Sequence, residues 1–273
     1  MLDLIEPVAG LLKEVAEAEI LPRFRNLADE ERMEKGENDV VTAADHAAEA
    51  FLGPALAGLT RNALIVGEEG AYADPALLDA LKDAELAWVI DPLDGTRNFA
   101  EGREDFAVMA ALLKHGAPVM AWIYQPLTVT MAIAEHGAGA TINGDRTKLD
   151  VEGLTLPDMT GEFHYGYLPA EYRPVVKEAR DKVNTRRPRF CAGATYLNLV
   201  RDSRLFAFYY RLMPWDHAPG SLIYQEAGGT ALAFDGESYR PASPGMGLLL
   251  APNREIWNTV QKLLFPTVKV TGV

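Results

Sequence analysis

The feature that most constrains this chain is an apolar stretch that runs directly into an acidic turn. Residues 86–90 predict a buried strand that ends at Asp91-Pro92. Proline cannot continue a strand ladder, so we expect the backbone to turn there and to bring Asp94 back beside Asp91. Two carboxylates that close repel each other unless a cation lies between them. Hard divalent cations such as Mg²⁺ prefer these oxygen ligands, and the Leu93 carbonyl could join them.

The residues after this turn predict a place for an anion. Gly95-Thr96 precedes a segment with a helical pattern. The N-terminus of a helix offers free N–H groups and a partial positive charge, which suit a substrate phosphate. One short stretch therefore predicts metal ligands, a hydroxyl group and a phosphate-binding backbone.

Two further acidic segments follow apolar ones. Glu68-Glu69 follows a predicted strand at residues 63–66, and Asp216 follows Trp215. Each has an ordinary explanation when taken alone, Glu68-Glu69 as a solvated loop and Asp216 as a helix cap. Their combination with the acidic turn favours a shared metal site.

Asp45 has two compatible interpretations. It lies three residues after Thr42, and this spacing is typical of a capping box at the start of a helix. The same carboxylate could also contribute to an acidic site. The residues alone leave both roles open.

The net charge limits the classes of partner. The chain carries a formal charge of −13, which repels nucleic-acid phosphates and argues against a nucleic-acid partner. An acidic protein can still bind an anionic substrate when bound cations invert the local field. We interpret the one dense basic run, Arg186-Arg187-Pro188-Arg189, as solvated surface rather than a phosphate-binding patch.

Composition predicts an ordinary globular protein of the cytoplasm. Hydrophobic residues make up 48% and charged residues 24% of the 273 positions. We expect no membrane association, because no apolar run reaches the roughly 20 residues of a membrane span and the start lacks a basic secretory signal. The single cysteine, Cys191, excludes an internal disulfide, and we interpret it as a packing residue.

The remaining pattern predicts alternating helices and strands without repeats or long linkers. Predicted helices lie at 4–20, 42–59, 75–84, 195–200, 215–227 and 254–264. Predicted strands lie at 63–66, 86–90, 205–210, 230–234 and 247–251, with three more within 106–134. Asn143-Gly144 predicts a tight turn. A changeover near residues 140–150 predicts an N-terminal α+β part, residues 1–145, and a C-terminal α/β part, residues 146–273.

Three motifs resemble the signatures of the inositol monophosphatase family, whose wider superfamily is lithium-sensitive. They are Gly67-Glu68-Glu69, the stretch from Trp88 to Phe99, and the stretch from Pro214 to Gly220 that continues to Gly229. Lys35-Gly36 and the stretch from Asn38 to Asp45 resemble the family's upstream motif. The resemblance implies a layered α/β fold, a five-layer α/β/α/β/α sandwich with metal ions in a cleft between its two halves.

The resemblance also implies roles for individual residues. Two or three Mg²⁺ ions would be held by Glu68, Asp91, the Leu93 carbonyl, Asp94 and Asp216. The catalytic residues would be Glu68, Thr96 and Asp45, of which the last two would orient the attacking water. Substrate would contact Asp94, Gly95, Thr96, Ala194, Arg211 and Asp216. Lys35 could close the site or be a surface lysine, and His217 is better interpreted as a packing or capping residue than as a ligand, because Mg²⁺ prefers oxygen.

The stretch before Trp215 departs from the inositol-specific members. Those members carry an acidic residue there that bonds the ring hydroxyls, whereas this chain has Tyr209-Tyr210-Arg211. We interpret Arg211 as replacing that acid. Arginine only donates hydrogen bonds and favours anionic groups. Gly193-Ala194-Thr195 also differs from the usual Gly-Thr-Ala, so the hydrolytic chemistry is better specified than the substrate.

The function implied by the resemblance is Mg²⁺-dependent hydrolysis of a small phosphorylated metabolite by an activated water. Inositol monophosphate is the default substrate; histidinol phosphate, fructose 1,6-bisphosphate and 3′(2′),5′-adenosine bisphosphate are alternatives within the class. The alternative from another class is a regulatory protein that binds the RNA-processing machinery. The negative charge and the complete set of acidic residues argue against it. The resemblance also implies a homodimer, although no residue locates its interface.

Overall fold

The computed structural model describes residues 4–28, 31–36, 39–243 and 247–269, without the side chains of residues 34–36 and 39. The described helices are α1 (Ile5–Val15), α2 (Ala43–Leu59), α3 (Glu68–Ala73), α4 (Ala76–Ala80), α5 (Thr96–Ala100), α6 (Arg173–Arg180), α7 (Ala192–Arg201), α8 (Pro214–Glu226) and α9 (Arg254–Leu264). The strands up to residue 147 are β1 (Arg32–Gly36), β2 (Asp39–Thr42), β3 (Leu64–Gly67), β4 (Leu86–Asp94), β5 (Ala107–Lys114), β6 (Ala117–Gln125), β7 (Thr130–Glu135), β8 (Gly139–Ile142) and β9 (Asp145–Thr147). The later strands are β10 (Thr160–Phe163), β11 (Asn184–Arg186), β12 (Leu205–Tyr209), β13 (Thr230–Leu232) and β14 (Leu248–Ala251).

The larger sheet is built around an antiparallel meander. Its seven strands follow the order β3-β4-β5-β6-β7-β8-β9, and only β3 and β4 pair in parallel. The β8–β9 hairpin turns at Asn143-Gly144, where both residues have positive φ, as the sequence predicted. The short strands β8 and β9 themselves were not predicted.

The expectation that the second predicted strand ends at Asp91-Pro92 was wrong. Strand β4 continues through Pro92 to Asp94, and its register with β5 shifts between Asp91 and Asp94. Proline is tolerated because the irregularity removes the ladder hydrogen bond that Pro92 could not donate. The irregularity still brings both aspartates to the same end of the sheet.

The smaller sheet has five strands in the order β11-β10-β12-β14-β13. Strands β10, β11 and β12 are mutually parallel, and β14 and β13 continue the sheet antiparallel. The residues that follow β10, β11 and β12 therefore leave the sheet at one common edge. The sequence pattern predicted β12 but neither β10, β11 nor the helix α6 between them, because these short segments are too polar to show a clear period.

The two sheets are stacked in five layers. Helices α1 and α2 pack on one face of the seven-stranded sheet through Leu12, Leu52 and Trp122, among others. Helices α7 and α8 lie between the sheets, where Tyr196 and Ile223 share one core with residues of both. Helices α6 and α9 cover the outer face of the smaller sheet. The chain thus forms the expected α/β/α/β/α sandwich.

Most predicted helices occur with shifts at their ends. Helix α9 has the predicted bounds, α2 and α8 begin and end within one residue of them, and α7 starts three residues early. The predicted helix at 4–20 is an α-helix only to Val15 and continues as a π-helical stretch, Ala16–Ile20. None of the described helices is both long and apolar enough to cross a membrane.

Candidate metal centre and substrate cavity

Three carboxylates from separate parts of the chain converge. Glu68 at the start of α3, Asp91 in β4 and Asp216 in the first turn of α8 each offer an oxygen, and these oxygens lie within 4.8 Å of one another. Asp91 is buried, while Glu68 and Asp216 are partly exposed. The structure thus brings together three of the predicted metal ligands.

Glu68 is placed by a contact that the sequence did not reveal. The Glu49 carboxylate, on α2, accepts hydrogen bonds from the backbone N–H groups of Glu69 (2.8 Å) and Gly70 (2.7 Å) and so holds the first turn of α3. A Cβ at Gly67 would lie 2.2 Å from Glu49 Cδ, so any other residue there would displace the Glu49 carboxylate from its bonds to α3. The glycine of the Gly67-Glu68-Glu69 motif is therefore required by the carboxylate that anchors α3.

Asp94 is held from a different direction. Its Oδ1 accepts from the Ala192 N–H (3.1 Å), and its Oδ2 accepts from the Gly193 N–H (2.6 Å) and the Cys191 thiol (2.9 Å). The N-terminus of α7, which lies between the two sheets, thereby fixes both oxygens of this carboxylate. Asp94 lies in the same cavity as the three converging acids.

Thr96 connects the acidic strand to Asp45. Its hydroxyl oxygen lies 2.9 Å from both Asp45 Oδ1 and the Leu93 carbonyl oxygen, so its proton can be donated to either. Asp45 Oδ2 in turn accepts from the backbone N–H (2.8 Å) and hydroxyl (2.6 Å) of Thr42. The capping box predicted for Thr42 and Asp45 is present, and the other Asp45 oxygen, Oδ1, contacts the Thr96 hydroxyl; Asp45 itself is buried behind Thr96 and is not among the residues that line the cavity.

Both the backbone conformation and the close packing at position 95 require glycine. Its φ is +83°, and an added Cβ would lie 2.7 Å from the Asp105 carbonyl oxygen. A side chain there would be strained in the left-handed region and would also clash with backbone. Glycine is therefore required at position 95, where β4 passes directly into α5.

The acids raise one another's proton affinity. Burial, followed by the charges of Glu68, Asp94, Asp216 and Asp45, raises the pKa of Asp91 well above its usual range. Burial also raises the pKa of Asp94, in spite of the hydrogen bonds from Cys191, Gly193 and Ala192. For Asp45, burial outweighs the bonds from Thr42 and Thr96 and raises the pKa to about 6.

The same residues fit a divalent cation. Burial and the charges of neighbouring acids raise the pKa of Asp91, and a bound cation would reverse this penalty. All the donors are hard oxygens, the set that Mg²⁺ and Ca²⁺ prefer over nitrogen or sulfur. The donor chemistry therefore agrees with a magnesium-type site.

A cavity of about 560 Å³ opens beside the acids. Its lining includes residues that follow β10, β11 and β12 of the smaller sheet, together with Glu68, Asp91, Leu93, Asp94, Gly95, Thr96 and Asp216.

The residues predicted to contact substrate differ in their positions. Arg211 lines the cavity; its Nη1 donates to the Tyr167 hydroxyl (2.8 Å) and its guanidinium stacks on the Tyr167 ring. Ala194 does not line it, because Cys191 and Ala192 reach the surface of the cavity instead. The side chain of Lys35 lies outside the described part of the chain.

A stack of rings forms one wall of this cavity. The ring centroids of His164 and Tyr209 are 4.2 Å apart, and those of Tyr209 and His217 are 4.5 Å apart. The Tyr196 hydroxyl lies 3.2 Å from His217 Nδ1. Burial lowers the pKa of His217 to about 3, so the imidazole is neutral at pH 7. His217 is thus a packed, uncharged residue, in agreement with the sequence interpretation.

A buried glutamate behind the wall was missed by the sequence analysis. Glu162 Oε1 accepts from the Thr195 hydroxyl (2.6 Å) and lies 3.2 Å from His164 Nε2, while Oε2 lies 3.0 Å from Arg186 Nε. Burial alone would raise its pKa, but the hydrogen bonds and charges of His164, Thr195 and Arg186 outweigh burial and lower it. No periodic signal marked Glu162, because β10 itself was not predicted.

Comparisons with known proteins agree with this architecture. The profile of the inositol monophosphatase family matches residues 2–268. The Nus factor SuhB of Escherichia coli strain K12 is 34% identical over 212 residues, 76% of each chain. Inositol monophosphatase II of Staphylococcus aureus superposes with a TM-score of 0.80 at 26% identity, covering 98% of this chain and 95% of that one.

A further similar structure is SaIMPase-II with inositol monophosphate bound, at 23% identity and a TM-score of 0.75, over 96% of this chain and 94% of that one. At this identity the likeness shows the fold alone. The family profile spans nearly the whole chain, and residues of the three motifs, at 67–69, 88–99 and 214–220, line one cavity. The chain therefore belongs to the inositol monophosphatase family.

Proposed function

We propose that this protein is a Mg²⁺-dependent phosphomonoesterase that hydrolyses a small soluble phosphate monoester. The observation that carries the proposal is the convergence of Glu68, Asp91 and Asp216 oxygens within 4.8 Å beside a cavity of metabolite size. Asp94 and the Leu93 carbonyl oxygen would complete the ligand set for two or three ions. Family membership supports a phosphatase and a divalent metal.

Bound cations would lower the pKa of a water molecule and neutralise the charge that grows on the leaving oxygen. The protein supplies the orientation of that water. When Thr96 donates its proton to Asp45 Oδ1, its oxygen lone pairs can accept a hydrogen bond from water in the cavity. As the water attacks, it can pass a proton to the Thr96 oxygen while Thr96 passes its own hydroxyl proton to Asp45, whose pKa is about 6.

The substrate is the least specified part of this proposal. Inositol monophosphate is the family default and is bound in the similar structure of SaIMPase-II. Histidinol phosphate, fructose 1,6-bisphosphate and adenosine 3′(2′),5′-bisphosphate remain alternatives that a cavity of about 560 Å³ can hold. Phosphate would be oriented by Gly95 and Thr96, which line the cavity beside the acids.

The test is phosphate release from this panel of substrates in Mg²⁺ and in EDTA. We expect Mg²⁺-dependent release that Asp91→Asn abolishes. The matched control is Asp79→Asn, which removes an exposed carboxylate bonded to Lys82 and should leave release unchanged. Absence of release from every substrate, by a folded protein that binds Mg²⁺, would refute the proposal.

A second candidate is a regulatory binding role, which the name of the E. coli relative favours. That relative is called a Nus factor, and this chain is 34% identical to it. A gel shift with RNA, repeated at low and high salt, tests direct nucleic-acid contact. Tight, salt-sensitive binding would support this second function, whereas absence of a shift would leave the phosphatase as the better account. The homodimer and the cytoplasmic location stay predictions.

A further inference from the structure

Positive charge is concentrated at one place in this acidic protein. Residues 173–189 contain seven arginines and lysines but only two acidic residues, in a chain whose net charge is −13. This segment comprises α6, β11 and the basic run that the sequence analysis interpreted as solvated surface. Arg180 and Arg186 from this segment line the cavity, so part of that charge faces the substrate.

The parallel strands explain why several arginines meet at the cavity. The chain leaves β10, β11 and β12 at one edge of the smaller sheet. This edge carries Tyr165 and Tyr167 after β10, Arg186 at the end of β11 and Arg211 after β12. Arg180 lies close enough to Tyr165 for its positive charge to oppose the rise that burial causes in the pKa of the Tyr165 hydroxyl. The cavity is thus acidic where Asp91 lies and basic along this edge.

Only part of the basic edge is neutralised. Arg186 is paired with the buried Glu162: its Nε lies 3.0 Å from Glu162 Oε2, while Glu162 Oε1 accepts from the Thr195 hydroxyl. Within the described residues, neither Arg180 nor Arg211 forms an ion pair with a carboxylate; Arg211 instead contacts the Tyr167 hydroxyl and ring. Both guanidinium groups are on exposed residues and remain available to an anion.

A smaller cavity extends the basic surface. It has a volume of about 470 Å³, shares Tyr165, Gly166 and Arg180 with the main cavity, and adds Arg173 and Lys177. Arg173, Lys177 and Arg180 are spaced by four and three residues on α6, so they lie on one face of the helix. An anionic group that reaches Arg180 therefore meets further positive charge beyond it.

We propose that Arg180 and Arg211 bind a second phosphate or carboxylate group of the substrate, remote from the phosphate that is hydrolysed. This inference rests on the proposed phosphatase function and specifies its substrate class as doubly anionic metabolites, such as sugar or nucleoside bisphosphates. Arginine binds such groups with paired, charge-assisted hydrogen bonds. Inositol monophosphate offers only hydroxyl groups at this edge and uses neither guanidinium charge.

The first experiment compares two substrates that differ in one phosphate. We would measure kcat/KM for glucose 1-phosphate and glucose 1,6-bisphosphate in Mg²⁺, for the parent protein and for Arg180→Gln combined with Arg211→Gln. We expect the bisphosphate to be preferred roughly tenfold, and the double substitution to lower that preference by about the same factor. Lys182→Gln is the matched control, since Lys182 lies in the same basic segment but is exposed and bonded to Glu178.

The outcomes distinguish failure of the phosphatase function from failure of the second anion site. Absence of release from both sugars and from every substrate of the earlier panel would refute the phosphatase function itself; absence of release from the bisphosphate alone would overturn the second anion site. Release without a preference for the bisphosphate, or with a preference that the double substitution leaves unchanged, would overturn the second anion site while the phosphatase stands. Circular dichroism would confirm that the variants fold.

A binding experiment tests the site without catalysis. In EDTA the acidic end repels phosphate, so inorganic phosphate measured by calorimetry should bind at the basic edge. We expect the double substitution to weaken this binding at least about fivefold and Lys182→Gln to leave it unchanged. Equal phosphate affinity in all variants would overturn the proposal. A second result would also overturn it. If an RNA oligonucleotide binds in a salt-sensitive way, and the double substitution abolishes this binding but leaves the bisphosphate preference unchanged, the arginines bind nucleic acid rather than a substrate anion.

Discussion

The thiol of Cys191 donates a hydrogen bond to Asp94 Oδ2 at 2.9 Å, and this bond joins the layer between the sheets to the acidic strand. Burial, together with the neighbouring Asp94 charge, raises the pKa of Cys191 well above its usual range, so the group remains a protonated donor. Cys191 is buried, as expected of a packing residue, but it also makes this contact, which the sequence did not predict. Its role is to fix the orientation of a carboxylate that we propose as a metal ligand.

Replacement of Cys191 should therefore weaken metal activation. We expect Cys191→Ala to raise the Mg²⁺ concentration for half-maximal phosphate release by roughly tenfold, because partners behind a ligand commonly contribute that much. Cys191→Ser retains a donor and should lie closer to the parent protein. Mg²⁺ titrations of phosphate release measure both. Equal activation of the alanine and parent proteins would show that the two backbone amides alone orient Asp94.

Substitution of Gly95 should destabilise the fold. We expect Gly95→Ala to lower the free energy of unfolding by about 3 kcal/mol, because it combines left-handed strain with a clash at the Asp105 carbonyl. The control is Gly137→Ala, whose φ of +76° is similar but whose added Cβ meets nothing within 4 Å. It should cost only about 1 kcal/mol. Urea denaturation measures the difference, and similar losses would contradict the steric argument.

Removal of one acid should stabilise the protein without metal. We expect Asp91→Asn to raise the melting temperature in EDTA, because it removes a buried charge that Glu68, Asp94 and Asp216 repel. The parent protein should gain about 2.7 kcal/mol when Mg²⁺ reaches 100 times its Kd. Asp91→Asn should lose most of this gain, and Asp79→Asn should keep it. A parent melting temperature that Mg²⁺ leaves unchanged would count against the metal centre.

Acid should destabilise the fold partly through Glu162. Its pKa in the folded protein is below the usual value of 4.5, so its contribution to stability is complete above that pH and is lost as pH falls through the lower folded value. We expect the free energy of unfolding to fall more steeply in the parent than in Glu162→Gln as the pH drops below 4.5. The exposed Glu152→Gln serves as control. Identical slopes would mean that Glu162 is not held ionised by its partners.

The acidic part of the site could be predicted because it depends on short motifs. The acidic turn at Asp91 and Asp94 and the capping box at Thr42 and Asp45 are local patterns, and the structure places them beside one cavity. The course of the backbone at Pro92 was predicted wrongly, because a strand irregularity has no sequence period. The division into residues 1–145 and 146–273 stays a prediction.

The basic edge could not be predicted because it depends on tertiary contacts. Arg180 and Arg186 reach the cavity because β10 pairs in parallel with both β11 and β12, and β10 and β11 are only four and three residues long. Glu49 and Glu162 also act on residues about 20 or more positions away. A single sequence shows such residues only as ordinary surface charges.

The position of α7 and α8 between the sheets has a consequence for how proteins of this fold diversify. The acids are held by the larger sheet and this middle layer, whereas the opposite wall consists of short segments at the edge of the smaller sheet. Insertions or exchanges in those segments can alter the shape and charge of one cavity wall while the acidic residues keep their positions. One ancestral scaffold can thus acquire new substrates by replacing a few exposed loops, and a protein engineer can follow the same route.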